Sequence, residues 1–107
     1  MRRALLDHCV PRRVCQALTD CEVATAFQQG WSELNNGDLL RAAEAGGFDV
    51  LVTADKNVQH QQNLQHRRIA IVVLPTNGLQ ALLPLFPAIA EAVNRAAAGS
   101  YQEVPAS

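Results

Sequence analysis

The chain has 107 residues, the common size for a domain built on a single core. Hydrophobic residues make up 49% and charged residues 18%, which excludes a disordered chain; a net charge of −1 excludes a broad basic face for duplex DNA. No apolar run approaches the roughly 18 residues of a membrane span, and Asp7 comes too early for a secretory leader, so a cytoplasmic protein without membrane contact is expected. One domain over 1–104 and a flexible tail over 105–107 are expected.

In chain order, Ala4–Leu6 is the first apolar run and ends at Asp7. Pro11 suits a first helical position, and Val14, Ala17 and Leu18 follow at helical spacing until Asp20. Glu22–Phe27 reads as a second, weaker strand. Gln28–Gly37 is a loop by its glycines and asparagines, and Asp38–Ala45 is a helix stopped by Gly46 and Gly47. Phe48–Thr53 and Ile69–Leu74 are near-continuous apolar runs, the pattern of parallel strands buried on both faces. Asn57–Leu64 between them is polar and helical in character. Leu79–Ala98 reads as a long helix kinked at Pro84 and Pro87, and Tyr101–Val104 as a short edge strand. Strands alternating with helices give an α/β fold with a central, mainly parallel sheet. No G-x-G-x-x-G follows the first strand, which disfavours a dinucleotide-binding fold.

In such a sheet, sites form outside the carboxyl ends of the strands. Asp7 follows the first strand directly, Asp55 follows the third after one residue, and Thr76 and Asn77 follow the fourth. Asp38 opens the second helix from the same edge. Three carboxylates there repel one another unless a cation lies between them, and hard ions such as Mg²⁺ or Mn²⁺ fit that place. Each residue also has a plain structural role. Asp7 and Asp55 are placed to cap helices, Asp38 favours a helix dipole, and Thr76 and Asn77 are candidate caps. Relief of the repulsion predicts that Asp7→Asn is no less stable than the native chain without metal. Arg12, Arg13 and Lys56 are weaker candidates for holding phosphate. Trp31 is expected to pack under its loop. His8 beside Cys9 makes no zinc spacing, and Cys9, Cys15 and Cys21 read as ordinary buried or half-buried thiols.

Leu5-Leu6-Asp7-His8-Cys9-Val10-Pro11 resembles the opening "L-L-D-E-x-L-P" of short PIN-like proteins, a family of unknown function related to VapC-type toxins. Gly37-Asp38-Leu39-Leu40 after Gly30-Trp31-Ser32 is similar to their "G-x-x-D-x-x-L" segment. Val50-Leu51-Val52-Thr53-Ala54-Asp55-Lys56-Asn57 is similar to their "V-L-V-T-x-D-x-x". The resemblance covers essentially the whole chain. It implies a PIN-like three-layer α/β/α sandwich and Mg²⁺- or Mn²⁺-dependent cleavage of RNA, with Asp7, Asp38 and Asp55 as the metal-binding, catalytic acids. It further implies a toxin paired with an antitoxin protein. His8 stands where the family usually has an acid. The fourth acid of full PIN domains is absent, with Asn77 the closest polar group.

Two other classes compete. One is a module that keeps the PIN-like fold and binds protein without catalysis. The other is a phospho-receiver domain, which also places acids after its first and third strands and a hydroxyl, here Thr76, after its fourth. It needs an acid pair where only Asp7 stands, and a lysine after a fifth strand where none is found. The apolar stretch Leu79–Phe86 exceeds one inward stripe and predicts a homodimer.

Overall fold

The computed structural model describes residues 2–55 and 68–106. Five short runs form the strands of one sheet: β1 (Arg2–Leu6), β2 (Cys21–Thr25), β3 (Val50–Thr53), β4 (Ala70–Val73) and β5 (Tyr101–Glu103). Their order is β2-β1-β3-β4-β5, and each neighbouring pair is parallel. Parallel neighbours need crossover connections. A 3₁₀ helix (Arg12–Ala17) lies between β1 and β2, and α1 (Ala26–Gln29) and α2 (Asn36–Ala45) lie between β2 and β3. Between β4 and β5 come α3 (Leu79–Leu82), a 3₁₀ turn (Leu83–Leu85) and α4 (Phe86–Arg95).

Side chains alternate across the strands. Leu6, Val52, Val72 and Leu74 share one core with Val14, Leu82, Ile89 and Val93 of the 3₁₀ helix, α3 and α4. Leu5, Leu51, Ile71 and Val73 share the other with Leu39, Leu40 and Ala43 of α2. Both faces are thus covered, giving three layers and explaining why β3 and β4 carry no polar alternation. Leu5, Val50, Leu51, Val52, Ile71, Val72 and Val73, all from the apolar runs of the sequence, are buried.

The element ends differ from expectation for local reasons. β2 stops at Thr25 because Thr25 caps a helix: its hydroxyl accepts from the Gln28 N–H at 3.0 Å, and the Gln28 side chain accepts from the Thr25 N–H at 3.0 Å. Ala26 and Phe27 are therefore helical, and Gly30 ends α1 in the left-handed region at φ 79°. α2 starts two residues before Asp38, since the Asn35 side chain accepts from the Asp38 N–H at 2.8 Å. The turn after α2 needs Gly47, whose φ is 82° and where a Cβ would come within 2.9 Å of the Arg3 guanidinium. The predicted long helix is broken into three pieces, because prolines 84 and 87 interrupt its hydrogen bonding. The helix expected over Asn57–Leu64 lies outside the described residues. β5 is the short edge strand beside β4.

In the Leu79–Phe86 stretch Leu82 is buried, while Leu79, Leu83, Leu85 and Phe86 are half-buried. Leu85 and Phe86 pack on the chain's own core. Among the described residues, the large hydrophobic that stands exposed is Phe27. No helix among them is long and apolar enough to cross a membrane.

Candidate active-site cleft

The register brings the carboxyl ends of three strands level. Leu6 pairs with Val52, and Val52 with Val72. The Asp7 N–H continues the ladder onto the Val52 carbonyl at 2.9 Å, and the Leu74 N–H onto the Thr53 carbonyl at 2.8 Å. Just beyond lies a cleft of about 450 Å³, lined by Asp7, His8, Cys9, Ala54, Asp55, Thr76 and Asn77. It sits where the strand order reverses, between β1 and β3, the usual ligand position in doubly wound sheets.

Asp7 is only 3% exposed, so its carboxylate needs partners. Oδ1 accepts from the His8 N–H at 2.7 Å and lies 2.9 Å from His8 Nδ1. Oδ2 accepts from the Thr53 hydroxyl at 2.8 Å and from the Cys9 thiol at 3.7 Å. Thr53 ends β3 and is 1% exposed. Its hydroxyl oxygen accepts in turn from the Asp55 N–H at 3.1 Å. One buried hydroxyl therefore ties the carboxylate after β1 to the backbone carrying the carboxylate after β3. Burial pushes the Cys9 thiol above its ordinary pKa, the Asp7 charge adds to this, and the hydrogen bonds with the Ala54 backbone and Thr53 oppose it. At neutral pH Cys9 is a protonated donor, not a nucleophile.

Four predicted site residues meet here: Asp7, Asp55, Thr76 and Asn77. Neither Thr76 nor Asn77 caps the helix that follows. Gly78 is the N-cap of α3, without a side-chain cap bond, and the Thr76 hydroxyl instead accepts from the Gly78 N–H at 3.1 Å. Asp38 is not among the lining residues. It sits in the first turn of α2, half-buried and paired with Arg41. Arg12 and Arg13 are exposed on the 3₁₀ helix, also outside the lining. Lys56 lies outside the described residues. Trp31 packs inward, edge-on to Phe48 at 6.1 Å between ring centroids. Cys9 and Cys15 are half-buried free thiols and Cys21 a buried one, as expected.

Sequence reasoning missed Thr53 and Cys9. Thr53 carried one signal: a hydroxyl closing an otherwise apolar buried run, two residues before an acid. Cys9 carried none.

The donor chemistry suits a hard divalent cation. Two carboxylates, a hydroxyl and an amide oxygen line the cleft, and Mg²⁺ is commonly held by one or two carboxylates with waters completing its shell. The thiol contact at 3.7 Å is the weakest of the four to Asp7 and the one a cation replaces most easily. An all-protein cage is a different matter: among the described residues, no three histidine, cysteine or acidic side chains converge on one point. Comparison of the chain with protein-family models, with curated proteins and with solved structures finds no match.

Proposed function

We propose that this chain is a metal-dependent endoribonuclease of PIN-like type, acting in the cytoplasm as the toxin of a toxin–antitoxin pair. The carrying observation is that Asp7 and Asp55, at the ends of adjacent parallel strands, line one cleft. In this reading Asp7 and Asp55 hold Mg²⁺ or Mn²⁺, and Thr76 and Asn77 orient a phosphodiester at the rim. A bound divalent ion would lower the pKa of water and offset charge in an in-line displacement at phosphorus. Thr53 holds the Asp7 carboxylate in place through its hydroxyl, and Ala54 and Cys9 form the wall of the cleft. Asp38 takes a helix-stabilising role here, so the acid set is two rather than three. RNA as substrate and an antitoxin as partner rest on the resemblance of the motifs.

The test is cleavage of end-labelled RNA with Mn²⁺, with EDTA, and with Asp55→Asn. Metal-dependent cleavage lost in Asp55→Asn is the expected result. No cleavage by the native chain under any metal overturns the reading.

A second reading has its own observation. The Asp7 carboxylate is already met by four protein contacts, as a purely structural carboxylate would be. That favours a non-catalytic module, for which Mn²⁺ at millimolar concentration leaves the melting temperature unchanged. A phospho-receiver shares the strand order 2-1-3-4-5. The chain's lysine is Lys56, before β4 rather than after β5, which weighs against it.

A further inference from the structure

β1 and β2 end level with one another. Leu6 pairs with Thr25, so the chain leaves these two strands at the same carboxyl edge, Asp7 on one and Ala26 on the next. There the capping box turns the chain into α1, and Phe27 is left 79% exposed. A single exposed apolar residue is ordinary in itself. Its place is not: it comes two residues after the end of β2, the strand paired with the one that leads into Asp7 and His8, on a turn held by Thr25 and Gln28 at one end and Gly30 at the other.

The surroundings of the ring select its occupant. Gln28, Gln29 and Gly30 are exposed and polar or small, so the apolar surface is one side chain wide. A stable protein partner needs about 800 Å² per side, far more than one ring offers. A nucleobase needs a single ring face. The described lining of the cleft has two carboxylates and no arginine or lysine. Stacking supplies affinity independent of charge. Trp31, by contrast, is half-buried and packs against Phe48.

We propose that Phe27 is a stacking platform for an unpaired base of an RNA strand whose phosphodiester lies in the neighbouring cleft. This rests on the nuclease reading above and confines the contact to an unpaired base, because a base inside a duplex has both faces covered.

Fluorescence anisotropy with a short fluorescein-labelled single-stranded RNA and a labelled blunt-ended RNA duplex tests it. Binding is read in Ca²⁺, whose loose oxygen coordination suits binding better than catalysis. Phe27→Ala should weaken single-strand binding about tenfold, the effect of one base on one aromatic ring, and leave duplex binding unchanged. Phe27→Trp should restore it. Since the side chain is exposed, both variants should keep the native melting temperature. If the native protein cleaves RNA with Mn²⁺ but Phe27→Ala binds single strands equally well, the platform is overturned and the nuclease reading stands. Equal loss on strand and duplex also overturns it. A native dimer that dissociates in Phe27→Ala gives the ring to a second copy instead. A native protein that neither binds nor cleaves RNA overturns both readings.

Discussion

Thr53 donates to Asp7 and accepts from Asp55 through one oxygen. Thr53→Val keeps the shape and removes both bonds, so urea denaturation should show a loss of about 1–3 kcal/mol, the cost of leaving buried polar groups unmet. Thr53→Ser should recover most of it. The same bonds change the expectation for Asp7→Asn. Repulsion between acids predicts no loss of stability, but an amide has one acceptor oxygen, and its NH₂ must face either His8 or the Thr53 hydroxyl. A loss of about 1–3 kcal/mol is therefore expected in the metal-free protein. Mn²⁺ should raise the native melting temperature by binding the folded state, and raise it less in Asp7→Asn and Asp55→Asn. Equal shifts in all three remove the metal from this cleft. Cys9, Cys21 and Tyr101 all titrate higher in the fold than in the unfolded chain, in each case chiefly through burial. Groups raised in this way contribute stability that is full below their unfolded pKa and lost as pH rises through the folded one. The urea midpoint should thus fall in the alkaline range, from about pH 8.5 upward. Cys9→Ser, which cannot titrate there, should flatten part of that fall.

The elements owe their ends to caps more than to hydrophobic pattern. Asn35→Ala should cost about 1 kcal/mol in thermal or urea unfolding, as should Thr25→Ala. Asp38 shows the difference between a helix-turn acid and a site acid. In the first turn of α2, paired with exposed Arg41, it should lose no more than about 1 kcal/mol as Asp38→Asn, and the Mn²⁺-induced shift should stay at its native size. A lost shift would return Asp38 to the metal. The proline-broken segment before α4 was legible because a proline inside a helical run removes an N–H and clashes with the preceding turn. The end of β2 was not. Thr25 fits a strand and a cap equally well, and only the hydrogen bonds with Gln28 decide between them.

For the whole molecule, the two cores on either side of the sheet make central residues costly to shorten. Leu51 is fully buried between β1 and β4 neighbours, and Leu51→Ala should lose about 2–5 kcal/mol by chemical denaturation. Ile71→Ala on the same face should lose a similar amount, and the two losses should not add, since β3 and β4 pair these residues directly. A loss below about 1 kcal/mol at either position would mean the core has room to collapse around the change.

Hydrophobic period and punctuation are local properties, so the sequence alone determined that Phe48–Thr53 and Ile69–Leu74 hold strands buried on both faces, that an acid follows β1 and another follows β3, and that Gly46 and Gly47 end a helix. Which strands lie side by side is not local. The order β2-β1-β3-β4-β5 and the level register of Leu6, Val52 and Val72 arise from how the helices cover the two faces. That arrangement gathers Asp7, Asp55, Thr76 and Asn77 into one cleft, sets Thr53 between the two acids, and leaves Asp38 on a helix turn. A carboxylate carries the same chemistry wherever it falls in the sequence; only the tertiary structure decides which groups it meets.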